Sequence, residues 1–273
     1  MSANTTTAGR SLGITLAVDF GIQLVFYIYS AARQTETLYD LSGSLTYIVC
    51  VLVALLLRDN GDVNAISSLH PRQIVAAALV LIWALRLGSF LFMRVQKHAD
   101  RRFDTLKTNP VQFAIPWSLQ VIWIFLTAFP VFAILGNIST AQNAFGASDG
   151  IGIAIWVFGF VVEAVADAQK SAFKTKNPTK FMQTGLFKYS RYPNYFGEVT
   201  LWVGMFILCA NGFTDSWQWV TIISPIFVFC LIYFLSGVAM LEKSSEARYG
   251  QDPEFIAYKA RTSKFILWFP KSQ

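Results

Sequence analysis

The sequence has only three cysteines and two histidines in 273 residues. Cys50, Cys209 and Cys230 each lie inside an apolar run, and no CxxC spacing occurs. They read as small buried hydrophobes, which argues against a disulfide framework or a thiolate metal centre. His70 and His98 fall in loops with no His or Cys at ligand spacing, so no metal site is expected. Charge is also scarce: 14% of residues are Asp, Glu, Lys or Arg, against about 25% in soluble domains. No internal repeat is visible, which counts against the duplicated plan of many transporters. The short alternating segments of an outer-membrane barrel are missing too. Disorder is excluded by the aromatic share of 15%.

What the chain does have is apolar length. Hydrophobic residues make up 54%, and mean hydropathy is +0.46. Runs of roughly 20 apolar residues match the length of helix that crosses a bilayer core. Seven spans are expected, at about 11–32, 41–57, 72–95, 114–136, 151–172, 197–213 and 217–241. The fold class is therefore all-α: a polytopic membrane protein, residues 1–273 forming one integral membrane domain. Pro110, Pro116, Pro178 and Pro193 read as loop punctuation, and Pro130 and Pro225 as kinks inside spans.

Of the 22 Lys and Arg residues, five lie in 94–109, six in 170–191 and six in 242–273. These stretches follow spans three, five and seven, so the positive-inside rule sets them and the C-terminus in the cytoplasm and the N-terminus outside or in a lumen. Arg58 and Arg72, after span two, dissent. The sequons at Asn4 and Asn137 both fall on the expected outer side. An endoplasmic-reticulum location follows if the source is eukaryotic.

In span five, Glu163, Asp167, Lys170 and Lys174 recur at intervals of four, three and four, which stacks them on one helical face. Charge within a span normally faces a cavity or a partner; the plainer alternative is an intrahelical ion-pair ladder with snorkelling lysines. Downstream, GLFKYSRYPNYFGE offers Gly185 as a break and Pro193 as a helix start. A helix start presents free N–H groups and a positive dipole end to an anion, with Lys188, Ser190, Arg191 and Asn194 as added donors and Glu198 as an acceptor. The competing reading is an interfacial belt of Tyr189, Tyr192 and Tyr195 beside basic residues that meet anionic lipid. Asp19 and Arg86, both within spans, suggest either a structural pair or a cavity lining. Asp40 is placed to N-cap span two, and Asp100-Arg101-Arg102 reads as a membrane-facing charge cluster. The aromatic and basic tail, with Tyr249 and Arg261, suits the interface or the base of a pocket.

Three blocks taken together, ADAQKSAF (166–173), GLFKYSRYPNYFGE (185–198) and the tail with Arg248-Tyr249 and Tyr258, resemble the steroid 5α-reductase C-terminal-like family, in its membrane branch with an SRHPNYFGE-type motif. The similarity covers about residues 150–270 and implies a reductase-like cofactor-binding half there. It implies a seven-helix fold holding NADPH in a cytoplasm-facing cavity. By position, Asp167, Lys174, Asn194, Glu198 and Tyr249 contact the cofactor, with Lys170, Ser190 and Arg191 as phosphate and ribose neighbours; Glu163 joins them through the shared helical face. The implied reaction is hydride transfer to an activated C=C bond of a lipophilic, steroid- or lipid-like substrate. No nucleic-acid partner is expected; membrane lipid is.

The chain departs from the steroid reductases where they carry an adjacent Gln-Glu pair and a later tyrosine. Here Thr35 separates Gln34 from Glu36, and Trp83 stands at the tyrosine position. Cofactor binding therefore carries over better than substrate. Tyr47, Asp19 and Asp40 are the replacement proton donors. Two further classes stay open: a methyltransferase of the isoprenylcysteine type using S-adenosylmethionine, since its family shares the RxPxY core, and a non-catalytic lipid-binding protein.

Overall fold

The computed structural model describes residues 3–57, 69–97, 103–137 and 142–271. Nine α-helices run through them: α1 (Ala3–Arg33), α2 (Tyr39–Leu56), α3 (Pro71–Lys97), α4 (Pro110–Leu135), α5 (Ala147–Lys176), α6 (Pro193–Ala210), α7 (Ile223–Cys230), α8 (Val238–Tyr249) and α9 (Pro253–Arg261). Among the described residues there is no strand, only an isolated parallel bridge between Ser190 and Ser263. The chain is an all-α, multi-pass membrane protein. Asp100-Arg101-Arg102, Arg58, His98 and the Ile138-Ser139 part of one sequon lie outside the described residues, as does the side chain of Asn4.

Proline sets several of the boundaries. α3, α4, α6 and α9 each begin on one, where the missing N–H costs nothing and the fixed φ is already helical. Asn109 caps α4 through its side-chain oxygen, and Asp252 caps α9. Pro116, expected in a loop, lies inside α4 with Pro130. Among the described residues, six helical segments are long and apolar enough to span a bilayer. α6 is not among them, because Pro193, Asn194 and Glu198 dilute its 18 residues. The last span, Ser216–Tyr249, is 34 residues long and changes pitch along its length. A 3₁₀ segment (Ser216–Ile222) precedes α7, and a π turn (Leu231–Leu235) separates α7 from α8. Ser236 closes that turn by donating both its N–H and its hydroxyl to the Leu231 carbonyl.

The helices form two compact units that do not follow chain order: residues 1–149 with 206–224, and residues 150–205 with 225–273. In the first unit, α1 buries Ser11, Thr15, Asp19 and Gln23, a polar line at four-residue spacing. Gln23 donates to Thr46 of α2 at 2.8 Å. Of the two readings of Asp19 and Arg86, the structural pair does not form: Asp19 is fully buried, and neither carboxyl oxygen makes a hydrogen bond among the described residues. Arg86 instead packs over the Phe90 ring at 5.9 Å. Asp40 is not an N-cap either. α2 starts at Tyr39 with Leu38 in the cap position, and Asp40 lies in the first turn, 3.6 Å from Arg94. Asn137 is buried, donating to the Gly212 carbonyl and accepting from Gln218, so its sequon is no glycan acceptor.

Arg72 is fully buried in this unit. Its guanidinium grips Asp149 with Nε–Oδ1 at 2.5 Å and Nη2–Oδ2 at 2.9 Å. The arginine that spoke against the charge bias is thus neutralised inside the protein rather than displayed in a loop. Next to it, His70 has its pKa lowered, first by burial and then by the Arg72 charge.

The second unit is built on a close approach of α5 and α6. A Cβ added at Gly159 would lie 2.5 Å from the Leu201 amide nitrogen, and one at Gly197 would lie 2.6 Å from that of Glu163. Gly204 meets the Trp156 backbone in the same way. Small residues at these points let the two backbones touch, the usual device for helix packing in lipid.

Candidate functional site

The contact between α5 and α6 sets one edge of the site. It brings Asp167 of α5 against the start of α6, where Asn194 Nδ2 donates to Asp167 Oδ1 at 3.2 Å. Glu163 is buried one turn earlier on the same face as Asp167. After α5 the chain must turn back, and Gly185 does this at φ +62, a conformation that L side chains rarely adopt. The Leu186 amide then donates to Gln169 Oε1 at 2.9 Å, tying the turn to α5.

From there residues 189–191 run beside the C-terminal segment. The Arg191 amide donates to the Ser263 carbonyl at 2.9 Å, and the Trp268 amide to the Tyr189 carbonyl at 3.1 Å. Ser190 is fully buried in this seam. Its hydroxyl donates to the Phe265 carbonyl at 2.7 Å and accepts from the Tyr192 amide at 3.2 Å. Its oxygen serves the backbone and is not on a cavity wall.

The seam presents Arg191 to α8, where Nη1 contacts both Glu242 oxygens at 2.8 and 2.9 Å. Tyr192 donates its hydroxyl to the same carboxylate at 2.5 Å. Burial first, and then the Glu242 carboxylate, push the Tyr192 phenol above its usual pKa, so it remains a donor at all physiological pH. The Tyr258 phenol is raised by burial and donates to the Phe187 carbonyl at 2.7 Å.

Above this pair lies a cavity of about 160 Å³ walled by Lys170, Lys174, Arg191, Tyr192, Glu242, Arg248 and Tyr249, with Phe181 and Phe255 among its apolar lining. Four cations face one carboxylate, which Arg191 and Tyr192 already engage. Lys174 Nζ donates to the Lys180 carbonyl at 2.5 Å and to the Tyr249 hydroxyl at 3.5 Å. Phe181 stands edge-on to Tyr249 with centroids 5.6 Å apart. Arg191 Nε and Asn194 Oδ1, both buried near the site, have no hydrogen bond among the described residues.

Of the residues singled out for a cofactor, Lys170, Lys174, Arg191 and Tyr249 share this wall. Asp167 and Asn194 pair beside it, and Glu163, Ser190 and Glu198 are not part of the lining. Glu242 and Arg248 complete the wall. No spacing rule links Glu242 to Arg191, 51 residues earlier, so the bidentate pair could not be read from the sequence. Tyr47, Asp19 and Asp40 belong to the first unit. There Tyr47 is buried, with its ring edge-on to Trp83 at 5.1 Å and to Trp123 at 5.2 Å.

Comparison with known proteins gives a family. Residues 26–262 match the family described as Protein of unknown function (DUF1295), and the chain belongs to it. A relative in Schizosaccharomyces pombe, "Uncharacterized protein C594.04c", is 26% identical over 169 residues, covering 54% of this chain. The match spans 46% of that relative's own length. No solved structure matches.

Proposed function

We propose that this member of the DUF1295 family is a membrane-embedded, NADPH-dependent reductase acting on an activated C=C bond of a lipophilic substrate. The observation that carries the reading is the convergence on one wall. Lys170 comes from the ADAQKSAF block and Lys174 follows that block directly, Arg191 comes from the SRYPNY block, and Arg248 and Tyr249 from the tail. These are the three blocks whose combination resembles the steroid 5α-reductase C-terminal-like family. A methyl-transfer reading gives this cationic wall no task.

The residues fit the phosphate-bearing end of such a cofactor. Four cations against one engaged carboxylate suit the charge of a 2′-phosphate, and Arg191 Nε is a buried donor lacking an acceptor. The cavity, at about 160 Å³, is smaller than the roughly 300–1,000 Å³ of whole-ligand sites, so it takes that end and not the entire dinucleotide. When bound, NADPH supplies the hydride for the reduction.

The protein's own part is binding, orientation and protonation. Lys170, Lys174 and Arg248 offset phosphate charge. The Glu242 carboxylate holds the Arg191 guanidinium in one orientation through two hydrogen bonds. Tyr192 keeps that carboxylate from swinging away. For the proton we assign Tyr47, a phenol standing beside the tryptophan at the position where the steroid reductases carry tyrosine. Asp19 and Asp40 are weaker candidates: Asp40 faces Arg94, and Asp19 sits in a line of small polar groups.

The orientation we favour puts the basic stretches and the C-terminus in the cytoplasm, with the N-terminus across the membrane. An endoplasmic-reticulum location applies if the source is eukaryotic. Burial of Arg72 removes one dissenting charge from that count.

Lys170→Gln and Arg248→Gln, each tested by titrating the purified chain with NADPH, are expected to weaken binding about tenfold, the worth of one charge-assisted contact. NADH binding should change much less in both variants. Unaltered NADPH affinity in the two of them would overturn the phosphate assignment.

A further inference from the structure

A second and larger cavity, about 580 Å³, lies in the second unit between the residues before Gly185 and the C-terminal segment. Lys188, Arg261, Thr262 and Lys271 wall it, with Gln183 and Glu254. Its volume lies within the roughly 300–1,000 Å³ of small-molecule sites. Of the residues around the smaller cavity, only Tyr258 also lines this one.

The wall is built for an anion. Three cations face a single carboxylate, Glu254, which already accepts from Gln183. Arg261 spends Nη2 on Gln183 Oε1 at 3.0 Å. Between Arg261 and the tail, the Thr262 hydroxyl is buried, the residue being 6% exposed, and makes no hydrogen bond among the described residues. A buried hydroxyl on a cavity wall calls for a partner from a ligand. Beside three cations, that partner is an anionic oxygen.

What stands next to the cavity identifies the anion's source. Ile266, Trp268 and Phe269 are 58%, 69% and 76% exposed, immediately before Pro270 and Lys271 of the wall. Large apolar side chains turned outward beside lysines are the pattern of a segment lying in the headgroup–acyl boundary of a bilayer. A free phosphate would use the cations and leave these three side chains without a role. A phospholipid uses both.

We propose that this cavity binds the phosphate headgroup of an anionic phospholipid, with Lys188, Arg261 and Lys271 offsetting its charge and Thr262 donating to a phosphate oxygen, while Ile266, Trp268 and Phe269 meet the acyl chains. The site does not depend on the reductase reading.

The test is the thermal midpoint of the full chain in neutral detergent, titrated with dioctanoyl phosphatidylglycerol, dioctanoyl phosphatidylcholine or inorganic phosphate. Phosphatidylglycerol is expected to raise the midpoint saturably at concentrations where phosphatidylcholine does not. Lys188→Gln combined with Lys271→Gln, both exposed and safe for folding, should weaken that response about tenfold. Thr262→Val should weaken it as well. Equal responses to the two lipids, no response to phosphatidylglycerol, or an unchanged response in the double variant would each overturn the proposal. So would an equal rise with inorganic phosphate, which would make it a free-phosphate site.

Discussion

Asp149→Ala is expected to destabilise the protein by about 3–5 kcal/mol, a large part of the margin that a folded chain has. The reason is the state in which it leaves Arg72. That guanidinium is fully buried and makes two bonds to Asp149, at 2.5 and 2.9 Å. It also donates to the carbonyls of Asn143 and Ala144 and to Gln142 Oε1. Asp149 accepts in addition from the Gly146 amide and from Asn211, at 2.8 and 3.0 Å. Removing the carboxylate strips the only full negative charge from this network. The positive charge then sits in the interior opposed by dipoles alone. Replacing both partners, Arg72→Met with Asp149→Leu, should recover much of the loss, because two apolar side chains carry no desolvation debt. Thermal midpoints of the single and double variants in detergent decide this; a single variant as stable as the parent would show that the pair contributes little.

The second large effect is expected at the α5–α6 contact. Gly197→Ala places a Cβ 2.6 Å from the Glu163 amide nitrogen and from the Gly159 carbonyl oxygen. Neither is the end of a flexible side chain, so the helices must separate. Overpacking of this kind costs about 1–3 kcal/mol and outweighs the roughly 1 kcal/mol that alanine gains over glycine in a helix. Separation also stretches the 3.2 Å bond between Asn194 and Asp167, so NADPH affinity should fall with the midpoint. Gly21→Ala is the control. Nothing lies within 4 Å of a Cβ there, and the same substitution should be neutral or mildly stabilising. If Gly197→Ala behaved like Gly21→Ala, the close contact would not be what positions the site.

The elements that the sequence made legible are those governed by local rules. Apolar length marked the spans, Pro193 marked the start of α6, and Gly185 marked the turn, because each acts through its own backbone or its own helix. The charged face of α5 was readable from periodicity for the same reason. What stayed hidden depends on partners far along the chain. Glu242 looks like one more charge at the end of a span, until Arg191 and Tyr192 are seen on it. Arg72 reads as a loop cation and is a buried one. Asn137 satisfies the sequon pattern, but Gly212 and Gln218 claim its amide. Charge alone allows Asp19 and Arg86 to pair, but spacing within separate helices does not decide which residues meet. Nor did mean hydropathy reveal that the last span changes from 3₁₀ to α to π winding.

The reductase account is tested most directly by the thermal midpoint of the full, detergent-purified chain with NADPH, NADH or S-adenosylmethionine against buffer. Ligand that binds the folded state raises the midpoint in step with its affinity and concentration. The account predicts a saturable rise with NADPH, a smaller one with NADH at equal concentration, and none with S-adenosylmethionine. A rise with S-adenosylmethionine alone, or no response to NADPH, would contradict it.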